Sequence, residues 1–114
     1  MTITRALSIR QPFVELILQG KKKFEYRSMP TNIRERIYLY ASLQPGGRSK
    51  DQSLTGKTLD GLQKGLIVGT VEIVDCKWDS KNDCYAYELA TPKRILKPLK
   101  ATNQPCPRFW RPTF

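Results

Sequence analysis

Apolar and polar positions alternate in short runs along most of this chain, and turn-forming residues separate the runs. That rhythm predicts strands in preference to long helices. Ala6-Leu7-Ser8-Ile9 reads as a first strand and leads into Arg10-Gln11-Pro12. Pro12 suits the start of a helix, because its missing N–H is not needed in the first turn. Phe13, Leu16 and Ile17 are spaced for one helical face, Val14 and Leu18 widen it, and Gly20 stops it. Lys22 to Arg27 then reads as a second strand, with Phe24 and Tyr26 on one side and Lys23, Glu25 and Arg27 on the other. Pro30 centres a turn, and Arg36 to Ala41 is a third strand rich in strand-forming residues.

The pattern weakens from Gln44 to Gly65. Pro45-Gly46-Gly47 is a breaker, and in Ser53 to Lys64 only Leu59 and Leu62 keep helical spacing, enough for a turn or two. Residues 44–65 therefore read as an insertion that is either partly helical or mobile. Gly65 to Trp78 is the strongest strand signal, and Gly69 inside it predicts a bulge or a close backbone approach. Ser80 to Asp83 reads as a hairpin turn, and Cys84 to Leu89 returns as a strand. The tail from Thr91 to Phe114 holds five prolines, six cations and no acidic side chain, with Ile95 to Leu99 as a further edge strand. The expectation is one domain over 1–114: α+β, mostly antiparallel, with one to three short helices and a sheet closing into a small barrel.

Charge changes this picture more than length does. Twenty Lys and Arg against ten Asp and Glu give a net charge of +10 on 114 residues. Such an excess favours an anionic partner. The cations are interleaved with Phe24, Tyr26, Tyr38, Tyr40, Phe109 and Trp110, which turns the reading from a membrane surface toward RNA or another single-stranded nucleic acid, or a nucleoside. No apolar run approaches a membrane span, and the first residues lack a secretion pattern, so the expected location is cytoplasmic. Cys76, Cys84 and Cys106 show no metal-ligand spacing and read as reduced thiols. With no histidine anywhere, Ser-His-Asp and Cys-His nucleophile arrangements are excluded. The sequence calls for no cofactor and no metal.

The candidate chemistry concentrates in Ala6 to Arg27. Arg10 and Gln11 end the first strand, and Lys21-Lys22-Lys23 precede Glu25 and Arg27. Strict alternation sets Lys22 and Glu25 on opposite faces, so they meet only if the strand starts after Lys22 or bends there. Glu72 is a lone carboxylate among Val68, Val71, Ile73 and Val74. It is either a residue of a solvated sheet face or the partner of Lys22, Arg10 or Arg27. Trp110 either stacks a base or closes the rim of a barrel. Gly56-Lys57-Thr58 is not a phosphate loop, since the position that needs the earlier glycine is Asp51.

Three segments carry a family resemblance: Leu7-Ser8-Ile9-Arg10-Gln11-Pro12, Gly20 through Arg27, and Gly69-Thr70-Val71-Glu72-Ile73. In this order they resemble the ASCH domain (activating signal cointegrator homology) of the PUA-like superfamily, and the tail from Lys97 to Trp110 looks like that of small bacterial members. The resemblance implies a β-barrel with short helices and a nucleic-acid-binding cleft lined by Arg10, Gln11, Lys22, Glu25, Arg27 and Glu72. An alternative it implies is an amidohydrolase acting on a modified nucleoside such as N4-acetylcytidine, with Lys22, Glu25 and Glu72 as catalytic residues, or a ribonuclease. In the hydrolase relatives a threonine stands where this chain has Glu25, and an ionised carboxylate has no hydroxyl to donate.

Overall fold

The computed structural model describes residues 2–114. Strand β1 (Ala6–Ile9) leads into helix α1 (Phe13–Leu18), then β2 (Phe24–Arg27) and β3 (Arg36–Ala41). Helix α2 (Ser49–Ser53) and a single 3-10 turn (Leu59–Gly61) precede the long hairpin of β4 (Leu66–Asp79) and β5 (Cys84–Leu99), and β6 (Phe109–Trp110) closes the chain. All six strands lie in one sheet, in the order β2-β5-β4-β3-β1-β6. Among the described residues only β1 and β3 run parallel. The fold is α+β and mostly antiparallel, as the alternating pattern predicts.

The closed barrel is corrected. β2 and β6 are the two edges of the sheet, and among the described residues no backbone ladder joins them. β6 is two residues long, and Ser28 carries the chain away from β2, so neither edge offers a run to pair. A side chain crosses the gap instead. The Arg27 guanidinium donates to the Ser8 carbonyl oxygen at 2.7 Å and to the Pro107 carbonyl oxygen at 3.1 Å.

The main core packs Leu7, Ile9, Val14, Ile17, Ile37, Leu39, Val71 and Ile73 between α1 and the sheet. Each such side chain contributes about 1.5–3 kcal/mol by leaving water. A smaller cluster holds Ala6, Tyr40, Ile67 and Trp110. The Trp110 ring stands edge-on to Tyr40 at 5.3 Å, and its Nε1 donates to Ser8 Oγ at 3.0 Å. Trp110 is thus a core residue, not a base-stacking surface. Cys76 lies opposite Tyr87 and Cys84 opposite Asp79, so these thiols do not face each other across the hairpin.

Three boundaries differ from the expectation for physical reasons. β2 starts at Phe24 because Lys21 and Lys22 N–H groups still bond to the Leu16 carbonyl, finishing α1. α2 starts at Ser49, where Asp51 accepts from the Arg48 N–H. β5 is one strand of 16 residues, not two. Its Pro92 and Pro98 lie beyond the reach of β2, which pairs only with Tyr85 to Glu88, so one edge there demands no N–H.

Gly69 marks a register shift of β4 against β5, as its place in the strand predicts. A Cβ there would stand 2.6 Å from the Lys93 carbonyl oxygen and would overlap Leu18. Backbone cannot yield as a flexible side chain does, so Gly69→Ala is expected to destabilise the fold by about 1–3 kcal/mol. Urea unfolding of the two proteins measures this as a lower midpoint at unchanged slope.

Candidate nucleic-acid interface

Lys22 has no strand alternation to obey, because β2 begins two residues after it. It therefore reaches Glu25, with Nζ 3.7 Å from Oε1. Glu25 is 8% exposed, and its other oxygen accepts from the Arg27 Nε at 2.9 Å. One nearly buried carboxylate is thus shared by two cations, as a desolvated charge requires. The Lys22 ammonium also stands 5.0 Å from the centre of the Tyr26 ring and 5.4 Å from that of Phe13. Phe24 stacks beside Tyr26 at 6.4 Å, and both rings are exposed. Lys21, Lys22, Lys23, Phe13, Phe24 and Tyr26 line an open cleft of about 430 Å³ between α1 and β2, with Asp51 at its border.

The other predicted site residues are dispersed. Gln11 is 2% exposed and structural: its Oε1 accepts from the Glu15 N–H, and its Nε2 donates to the Gln63 carbonyl oxygen. Arg10 is exposed and lines a separate hollow with Tyr40 and Cys106. Arg27 is engaged on three sides, by Glu25 and two carbonyls. Glu72 is exposed and points to the opposite side of β4 from buried Val71, which borders the pocket that Lys22 also lines. Lys22, Glu25 and Arg27 are brought together; Arg10, Gln11 and Glu72 lie outside that cluster.

The pattern of the ASCH domain matches residues 7–102. The chain belongs to the ASCH domain family. Its fold is similar to the crystal structure of ASCH from Zymomonas mobilis, at TM-score 0.64 and 15% identity over 94% of this chain and 85% of that one. A tyrosine-to-phenylalanine variant of the same Zymomonas mobilis protein matches at TM-score 0.62 and 15% identity, over 94% of this chain and 88% of that one. A search of the curated proteins found no match. The ASCH family is broadly associated with RNA binding. No helix among the described residues is long and apolar enough to cross a membrane.

Sequence reasoning missed the residue that fixes the cleft's helical wall in this ASCH chain. Glu15 of α1 is 3% exposed, and both its oxygens accept from the Arg94 guanidinium, at 2.9 and 2.8 Å. Lys57 Nζ lies 3.3 Å away, and Gln19 donates to it at 2.8 Å. The helix is thereby tied to β5 and to the 44–65 segment, which Lys21 and Gln19 also hold through the Leu54 and Thr55 carbonyls. An available signal was a charged residue directly between Val14 and Leu16 on a helix otherwise apolar from Phe13 to Leu18.

Burial by itself pushes the Glu15 carboxyl up, but the hydrogen bonds from Arg94 and Gln19 and the charges of Arg94 and Lys57 outweigh it, and the net shift is downward from 4.5. A depressed carboxylate stabilises the fold above its unfolded value, and that contribution is lost as pH falls through the folded value. Arg94→Met removes the largest downward influence. Its acid unfolding, followed by circular dichroism, is therefore expected at a higher pH than in the parent protein, with a loss near neutrality of about 1–3 kcal/mol. Arg27→Ala leaves Glu25 short of a partner and the two sheet edges unlinked, so a loss of about 3 kcal/mol in urea unfolding is expected.

Proposed function

We propose that the cleft between α1 and β2 binds single-stranded RNA. The observation that carries this reading is the Lys22 ammonium held between the Phe13 and Tyr26 rings, beside exposed Phe24. Rings of this kind stack bases without regard to sequence, while neighbouring ammonium groups hold phosphates. Lys23 is exposed at the cleft and enters no ion pair among the described residues, so it is free to meet a phosphate. The net charge of +10 adds long-range attraction for a polyanion. The family's association with RNA points the same way.

The amidohydrolase reading draws less support. It needs Glu72 near Lys22, whereas the carboxylate beside Lys22 is Glu25, already paired with Arg27. Glu25 has no hydroxyl to offer in place of the threonine of those relatives.

Fluorescence anisotropy with a labelled single-stranded RNA octamer tests the binding reading. Tyr26→Ala is expected to weaken binding by about 1–3 kcal/mol, the usual worth of one base–aromatic stack. Lys23→Ala is expected to lower the slope of log affinity against log salt by roughly one unit. No binding at low salt, or full affinity in Tyr26→Ala, would sink it.

A further inference from the structure

Across the Glu25–Arg27 pair from the Lys22 cleft lies a second hollow, of about 390 Å³. It sits in the gap between the unpaired edges β2 and β6, where a closed barrel would have had backbone. Met29, Pro30, Tyr87 and Phe109 give it apolar walls, and Arg27 and Arg108 border it. Tyr87 and Phe109 stack nearly parallel, 15° apart, at 6.2 Å. The Tyr87 hydroxyl donates to the Met29 carbonyl oxygen at 2.6 Å, which fixes the loop that forms one side. Met29 is 56% exposed, so its flexible apolar side chain is available to cover a planar group in the hollow.

The two arginines differ in what they leave available. Arg27 is neutralised by Glu25 and held by two carbonyls. The Arg108 side chain is exposed and enters no hydrogen bond or ion pair among the described residues. Among the described residues no carboxylate lines the hollow. A planar apolar group would be covered by Met29, Pro30 and Phe109, and its attached anion would meet Arg108. A base carrying a phosphate has that combination, and the volume lies within the range of small-ligand pockets.

We propose that this hollow is a second nucleotide subsite, which takes one base and its phosphate from a strand whose neighbouring nucleotides lie in the Lys22 cleft. The inference rests on the nucleic-acid reading above. The Lys22–Glu25–Arg27 chain of ion pairs is the partition between the two sites. The four residues of β2 separate its ends by roughly 10 Å at a strand's usual rise, so an oligonucleotide can occupy both where a mononucleotide occupies one.

The chain has two methionines, Met1 and Met29, so carbon-13 methyl labelling places a single internal reporter in the hollow; Met29→Leu identifies its signal. Adenosine monophosphate and a single-stranded octaadenylate are each expected to move the Met29 methyl resonance upfield saturably, through the ring current of a covering base. Arg108→Gln is expected to weaken the mononucleotide response about tenfold, the worth of one charge-assisted contact. An unmoved Met29 signal, while the octamer still binds and loses affinity in Tyr26→Ala, would overturn the subsite and leave the cleft reading standing. An equal response to inorganic phosphate would also overturn it, since no base would then be needed. Octamer binding absent by both readouts would overturn the subsite and the cleft together.

Discussion

Two edges of one sheet approach each other in this protein without pairing, and a single guanidinium spans the distance. Arg27 leaves β2, takes the carbonyls of Ser8 and Pro107 on the far side, and keeps Glu25 beside it. A backbone ladder would have sealed that seam. A side chain links it while leaving space beside it, because one planar group occupies far less length than a paired strand. The openness of the hollow lined by Arg27, Pro107 and Phe109 follows from this substitution. Lys22 joins the same arrangement from the other end of β2, so the cleft's cation and the sheet's clasp share one carboxylate.

Glu15 repeats the device on the other side of α1. It too is a nearly buried carboxylate shared by two cations, here Arg94 and Lys57. Ion pairs of this kind are weak sources of net stability, since desolvation offsets much of their attraction. Their value lies in position. α1 has only six residues, too few to hold a fixed place through backbone propensity. Its apolar face gives it depth against the sheet, while Glu15 and Gln11 fix its rotation and its distance from β5. Phe13 and Leu16, which wall the cleft, are placed by these contacts.

The limits of the strands were legible where local pattern decides them. Ala6 to Ile9 and Arg36 to Ala41 are strand formers in the sequence and strands in the structure, and Gly20 does take the left-handed backbone, with φ of +76°. Gly69 announced a close approach that the Lys93 carbonyl makes. What alternation cannot supply is the point at which a strand begins, and the relation of Lys22 to Glu25 turned on that point. Nor can it supply partners distant in sequence. Glu15 and Arg94 are 79 positions apart, and only the path of β5 brings them together. The same holds for Arg27 and Pro107, 80 positions apart, whose bond stands where a barrel's last ladder was expected. For Glu72 the open choice was between a solvated face and a partner of Lys22, Arg10 or Arg27. β4 carries five consecutive buried residues from Ile67 to Val71 before alternation sets in, and Glu72 is the first to turn outward.

The long reach of β5 past β2 bears on how copies of this protein behave in a crowd. An exposed strand edge invites a second chain to add itself, hydrogen bond by hydrogen bond. Among the described residues that edge of β5 has no neighbouring strand past Leu89, yet it carries Pro92 and Pro98, which have no N–H to give, with Lys93 and Lys97 between them. An incoming copy would bring the same charges to the same place. The half-finished sheet is therefore closed to itself, so the excess of positive charge acts as a guard against fibre-like self-addition.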